Sequence, residues 1–186
     1  MANFINVQNL HYAKLTTDTS STLTYDTTMK AIPGTVKISV EPATVSADYW
    51  ADGQKAETVQ RLGDIKISIQ TSSLDLPTIA DLLGHTYDAT KGTIVCSQDD
   101  IAPYIALAYE RVRADGTKRL IKVYKVMFGL PKDDGASATN SINFQDDTLD
   151  GTALPLANNG EWKFMLEPNE TNTAAVTAFY TAIIPA

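Results

Sequence analysis

At 186 residues the chain is about one domain long, and size scaling lets roughly 70% of its open-chain surface be buried, enough for a core without covalent staples. Hydrophobic residues at 44% and charged residues at 20% exclude disordered, collagen-like and disulfide-scaffold chains, and a net charge of −7 argues against tight binding of nucleic-acid phosphates. Cys96, the single cysteine, cannot form an internal bridge and fits assembly in a reducing compartment. The opening Met1-Ala2-Asn3-Phe4-Ile5-Asn6 lacks the pattern of a secretory signal, and no apolar run reaches the ~20 residues of a membrane helix, so a soluble chain is expected.

Period-two alternation dominates from the start. A strand is expected at 10–15, followed by an exposed Thr/Ser-rich loop at 16–28. At 35–41, Val36, Ile38 and Val40 face one way and Lys37, Ser39 and Glu41 the other; at 64–70, Ile65, Ile67 and Ile69 oppose Lys66, Ser68 and Gln70. These two strands read as partners. The 22 residues between them (42–63) exceed an ordinary connection and carry a turn signal at Ala51-Asp52-Gly53, which predicts a projecting hairpin or arm.

Pro77, the spacing of Ile79, Ala80 and Leu83, and the stop at Gly84 predict a two-turn helix. A strand is expected at 93–97, where the alternation Ile94-Val95-Cys96 points to a packed thiol. Strands at 104–113 and 118–127 flank Asp115-Gly116, a tight-turn pair whose register would set Tyr109 against Lys122 and Leu107 against Tyr124. Neither face of that hairpin is purely polar, so both need covering. A polar loop at 132–140 and strands at 142–145, 152–156 and 161–166 follow, and Thr171 to Thr173 cap a C-terminal helix at about 173–184 with Val176, Phe179, Tyr180 and Ile183 on one face. The fold class is mainly β with some helix (α+β), in one domain spanning 1–186.

No constellation of residues nominates an enzyme, a metal or a cofactor. His11 and His85 lack ligand spacing and read as structural, and Asp146-Asp147-Thr148-Leu149-Asp150-Gly151 lacks the calcium-loop pattern and reads as a solvated turn. Asp99-Asp100 and Asp133-Asp134 read as turn formers. The basic hairpin Arg111, Arg113, Lys118, Arg119, Lys122 and Lys125 suits a nucleic-acid patch or solvated and salt-bridged strand ends, and, with Glu110 nearby and an acidic remainder, it suits acidic surfaces of another copy better than nucleic acid. Arg111, Arg113, Lys118 and Arg119 are therefore candidate charged contacts between copies.

Several strings in order resemble the major tail tube proteins of long, non-contractile-tailed phages, especially those of Gram-positive hosts. They are Val7-Gln8-Asn9-Leu10-His11-Tyr12-Ala13, Ile32-Pro33-Gly34, Ala51-Asp52-Gly53 leading to Ala56-Glu57-Thr58, Leu62-Gly63-Asp64-Ile65, and Leu82-Leu83-Gly84-His85. Asp99-Asp100-Ile101-Ala102-Pro103-Tyr104-Ile105-Ala106-Leu107, Leu149-Asp150-Gly151-Thr152-Ala153 and Gly160-Glu161-Trp162-Lys163 continue the series. The Thr-rich segment and the loop at 132–141 depart from it.

The resemblance implies a β-sandwich or barrel-like tail tube domain with one packed helix. Six copies would form a ring, and stacked rings a hollow tube that passes double-stranded DNA without specific binding. It further implies tape-measure and tail-tip or terminator proteins as partners, assembly in the host cytoplasm and residence in the virion. Within that frame Lys37, Ser39, Glu41, Lys66, Ser68 and Gln70 are candidates for the lumen wall, and Tyr49, Trp50, Asp52, Gln54, Lys55 and Glu57 for an inter-subunit arm. A headless tail-like bacteriocin tube or a secretion tube would share the architecture. The competing class is a monomeric β-sandwich ligand-binding module using Tyr49, Trp50 and Trp162 as a stacking platform.

Overall fold

Alternating Ile, Val and Leu positions demand a surface to bury one face of each strand, and the chain meets that demand with one large antiparallel sheet. The computed structural model describes residues 2–133, 146–181 and 183. In chain order the elements are β1 (Phe4–Asp18), β2 (Leu23–Tyr25), β3 (Lys30–Ala31), β4 (Thr35–Ala51), β5 (Gln54–Thr71) and α1 (Leu76–Leu83). They continue with β6 (Thr86–Asp88), β7 (Thr93–Val95), β8 (Ile105–Arg113), β9 (Lys118–Phe128), β10 (Asp147–Ala153), β11 (Lys163–Leu166) and α2 (Thr173–Ala178). Nine strands form the main sheet in the order β2-β1-β8-β9-β10-β5-β4, with β11 added to β9 and β3 to β1, while β6 and β7 pair separately. The expected strand at 142–145, most of the loop at 132–140 and the end of the C-terminal segment lie outside the described residues.

The sheet curls. Leu10 and Tyr12 of β1, Ile65, Ile67 and Ile69 of β5, Leu107 of β8, Val123 of β9 and Leu149 of β10 meet in one core, closed by Leu82 and Leu83 of α1. Val7 of β1 and Ile38 and Val40 of β4 pack against the same core from far ends of the strand path, so the β4 margin swings round toward the start of β1. The β8–β9 hairpin is covered on both faces. Its second face buries Ala106 and Tyr124 against Leu156 and Ile183, and Ala108 and Leu120 against Phe179, so the C-terminal segment supplies the lid.

Four expectations are corrected by local chemistry. The β8–β9 register is Tyr109 with Ile121 and Leu107 with Val123, one residue away from the tight-turn register. The Arg113 N–H donates to the Thr117 carbonyl at 2.8 Å, the Gly116 N–H to the Arg113 carbonyl at 2.9 Å, and Gly116 has φ +83°. This is a three-residue loop ending in a left-handed residue, which shifts the pairing by one. Asp146 to Gly151 do not form a turn: Asp147–Ala153 is β10, paired along its whole length with β5, because Leu149, Gly151 and Ala153 alternate inward. Residues 16–28 are not a single loop: β1 runs to Asp18 and turns at Thr19 to Thr22 into β2, which ends at Tyr25. Cys96 is exposed, since the β6–β7 pair stands off the main sheet and leaves Val95 exposed too.

The two helices follow from their ends. α1 has Pro in its first turn and stops at Gly84 with φ +77°, where an added Cβ would lie 2.2 Å from the Ile101 carbonyl oxygen. α2 is helical only over Thr173–Ala178, about half the expected length. The Asn172 side chain caps none of the helix's N–H groups, being bonded instead to the Glu167 carbonyl and the Asn169 N–H, and the Phe179 N–H already reaches back to Val176 in a tighter turn.

Two carboxylates tie the layers together. Asp81 on α1 accepts from Tyr12 Oη at 3.0 Å, from Lys14 Nζ at 2.9 Å and from Lys30 Nζ, joining the helix to β1 and β3. Asp18 accepts from Lys125 Nζ at 2.6 Å and from the Ala157 N–H at 3.0 Å, joining β1, β9 and the segment after β10. Burial works against the charge on both. The donated hydrogen bonds outweigh it, and each carboxyl sits below the usual range.

Two outcomes are expected. Gly84→Ala lowers stability by about 2 kcal/mol or more in denaturant melts, from a forced left-handed Cβ against a carbonyl. Because Asp18 and Asp81 are depressed in the fold, their contribution is complete above the unfolded pKa of about 4 and is lost as pH falls through the folded values. The melting temperature therefore drops on acidification below about pH 4, and Asp81→Asn shows a shallower drop because part of that stability is already gone.

Candidate functional site

The polar residues of β4 and β5 come together as cross-strand pairs: Lys37 opposite Gln70, Ser39 opposite Ser68, and Glu41 opposite Lys66. All six predicted wall residues therefore share one face of the ribbon, while Ile38 with Ile69 and Val40 with Ile67 point into the core. β10 extends the face, with Thr148 opposite Gln70, Asp150 opposite Ser68 and Thr152 opposite Lys66. Those three were hidden in the acidic string; the signal was its own period of two, Thr148-x-Asp150-x-Thr152. Lys37 and Lys66 are balanced by Glu41 and Asp150, and Ser39 Oγ donates to Glu41 at 2.8 Å. This face holds an open depression of about 590 Å³ lined also by Met127, Phe128 and Gly151.

Beyond Glu41 and Lys66 the ribbon leaves the core. A bulge at Gly63 and Asp64 reseats the pairing, after which Val45 opposes Arg61, Ala47 opposes Val59 and Tyr49 opposes Glu57, and Ala51 pairs Gln54 across the Asp52-Gly53 turn. The expected arm is present, and it is a two-stranded ribbon. It is open to solvent on both faces, with Val45, Tyr49 and Trp50 at 61%, 65% and 62% exposure. Asp52, Gln54, Lys55 and Glu57 are exposed with them; Lys55 pairs with Asp48 at 2.8 Å, and Thr58 Oγ1 donates to Asp48 at 2.9 Å. As neighbours on one strand, Tyr49 and Trp50 stand on opposite faces of the tip.

The outer margin of β4 has no strand on it among the described residues. Its outward N–H and C=O groups are left to water or to another chain.

The basic hairpin is largely satisfied inside the chain. Arg113 Nη2 and Arg119 Nε reach Glu167 at 2.5 and 2.8 Å, and Lys118 reaches Glu110 at 3.1 Å. The hydrogen bonds from Arg119 and Arg113 hold the Glu167 carboxyl below its ordinary value. Glu110, itself buried, also accepts from Gln8 and Asn9 at 2.6 Å each, at the β1 bulge where Asn9 takes φ +55°. Lys125 is spent on Asp18, and Lys122 lies 4.6 Å from the centre of the Phe179 ring, where burial lowers it to about 8. Of the four candidate contacts only Arg111, whose guanidinium lies 4.3 Å from the centre of the Phe4 ring, has no carboxylate partner among the described residues.

His85 is held by Asp100 at 2.6 Å and fixes the exit of α1, a structural placement; Asp100 also accepts from the Ser97 N–H at 2.8 Å. Trp162 packs on the core while Tyr49 and Trp50 ride the arm, so the three rings form no common platform. Among the described residues no three His, Cys, Asp or Glu converge as a metal site, and no helix is long and apolar enough to cross a membrane. No protein-family model matches the sequence, and comparison with curated proteins gives no match.

Since the arm contributes nothing to the core, removing residues 45–59 and closing the ribbon with Gln60→Asn and Arg61→Gly leaves a folded subunit. Its melting temperature stays within about 5 °C of the parent, as surface changes away from packed groups cost little. A collapse of the cooperative transition in calorimetry would show that the arm packs on its own domain.

Proposed function

We propose that the chain is a structural subunit that assembles with copies of itself into a hollow tube, as in the tails of long, non-contractile-tailed phages. The observation that carries this reading is the ribbon. A two-stranded hairpin with apolar side chains exposed on both faces is marginal alone and becomes stable when other chains cover it. The open β4 margin supports the same conclusion, because strand addition by a neighbour satisfies its backbone groups and repeats from copy to copy.

The Lys37-to-Thr152 face is the wall toward the passage. It is polar, built from three adjacent strands, and even in charge, so a DNA backbone sliding past gains no counterion release that would hold it. The virion location and the tape-measure and tail-tip partners belong to the same proposal.

Negative-stain microscopy of the purified full chain at high concentration, and of phage lysate decorated with antibody to it, tests the reading. Rings or tubes of uniform bore, absent from the 45–59 deletion, are expected. Persistent monomers together with particles that lack the polypeptide would overturn it.

A further inference from the structure

At the opposite end of the ribbon from the arm tip, the foot of β4 and the first residues of β1 enclose a groove of about 420 Å³. Among the described residues, both walls are strand margins with no further strand on them, the β1 side over Phe4 to Val7 and the β4 side over Val36 to Val40. Lys37, Arg111 and Lys163 reach into it, and no Asp or Glu lines it.

The positive charges there are crowded. Arg111, Arg113 and Arg119 stand at 4.3, 4.8 and 5.0 Å from the centre of the single Phe4 ring. Glu167 answers Arg113 and Arg119, which leaves Arg111 and Lys163 without an ion-pair partner among the described residues. Burial, and then the charges of Arg111 and Arg119, push the Lys163 ammonium below its ordinary value. Like charges brought together in a half-buried place oppose folding, and an anion from outside the chain relieves them. The groove is also apolar at its rim, with Ile5 at 70% and Val36 at 49% exposure.

The arm tip has the complementary character. Tyr49 and Glu57 are directly opposed, so one face presents a ring and a carboxylate side by side, with Asp52 at the turn. Neither Glu57 nor Asp52 has an ion-pair partner among the described residues, whereas Asp48 is held by Lys55. We propose that this groove is the socket for the arm tip of a second copy, Glu57 and Asp52 meeting Arg111 and Lys163 while Tyr49 covers Ile5 and Val36. The proposal rests on the assembly role argued above for the arm. A chain cannot fill its own socket, because tip and foot lie roughly 40 Å apart along the same ribbon at ~3.3 Å per residue. The contact is therefore head to tail and propagates from copy to copy.

The test uses two full-length variants, one with the socket disabled (R111E/K163E) and one with the tip disabled (Y49S/E57Q), in sedimentation velocity. The parent associates with concentration, and each variant alone associates about tenfold or more weakly, as for the loss of close charge pairs. Mixed in equal amounts, they form pairs that grow no further, since only one good tip and one good socket remain. R111E/K163E should melt no lower than the parent, because it removes crowded like charge; should it fail to fold, R111Q/K163Q replaces it with the same expectation.

A mixture that stays monomeric, or variants that associate as the parent does, overturns the socket. So does a short DNA duplex that binds the parent but not R111E/K163E while self-association is unchanged. Tubes formed equally well by both variants would refute the socket and leave the tube; head-to-tail pairs with no tube at any concentration would do the reverse.

Discussion

The structure depends on a backbone constraint. β4 runs for 17 residues with β5 on one side and no strand on the other among the described residues, so its outward N–H and C=O groups must find water or a neighbour. Natural sheets usually blunt such margins. Here Pro42 and the bulge after Leu62 interrupt the pairing at the root, but the ribbon continues to the Asp52-Gly53 turn. What holds the free ribbon in place is its root: Ile65, Ile67 and Ile69 are buried in the core, and beyond its own backbone ladder the exposed half gains, among the described residues, the Asp48 contacts to Lys55 and Thr58. A long, weakly supported hairpin on a well-anchored base suits a part whose partners arrive later.

Charge is distributed by the same division. The interior joints are carboxylates that collect cations and hydroxyls from several elements: Asp81 binds α1 to β1 and β3, Asp18 binds β1 to β9, and Glu110 braces the bulge in β1. Asp81 and Asp18 are supplied with enough donors to hold their carboxyls below the usual range. At the two ends of the ribbon, charges without an ion-pair partner among the described residues have opposite signs, Asp52 and Glu57 at the tip and Arg111 and Lys163 at the foot. In a chain of net charge −7 this small basic groove is a local exception, and such exceptions favour self-recognition over general attraction to polyanions.

Much of this was legible in the sequence. The alternations at 35–41 and 64–70 identified the partner strands, the polar face they share and the apolar reverse that packs on the core through Ile38, Val40, Ile65, Ile67 and Ile69, because a slip of one would expose Ile67 or bury Lys66. Ala51-Asp52-Gly53 placed the arm turn, and Pro77 with Gly84 bounded α1. Other features were hidden for physical reasons. Asp115-Gly116 signals a turn but not its length, and one extra residue moved the whole β8–β9 register. The acidic string at 146–151 carried turn-forming residues on a strand whose inward positions, Leu149, Gly151 and Ala153, are small or spaced sparsely. Most of the positive charges on the basic hairpin looked available because their partners Glu167, Glu110 and Asp18 are distant or across the sheet. The groove joins residues from β1, β4, β8 and β11, a convergence that only the curl of the sheet creates.

Hydrogen exchange measured on the free subunit and on the assembled state, residue by residue across 35–63, tests the central claim most directly. The account predicts rapid exchange of the outward β4 amides and of the arm in the free chain, and strong protection of both on assembly. Equal exchange in the two states, or full protection already in the monomer, would contradict it.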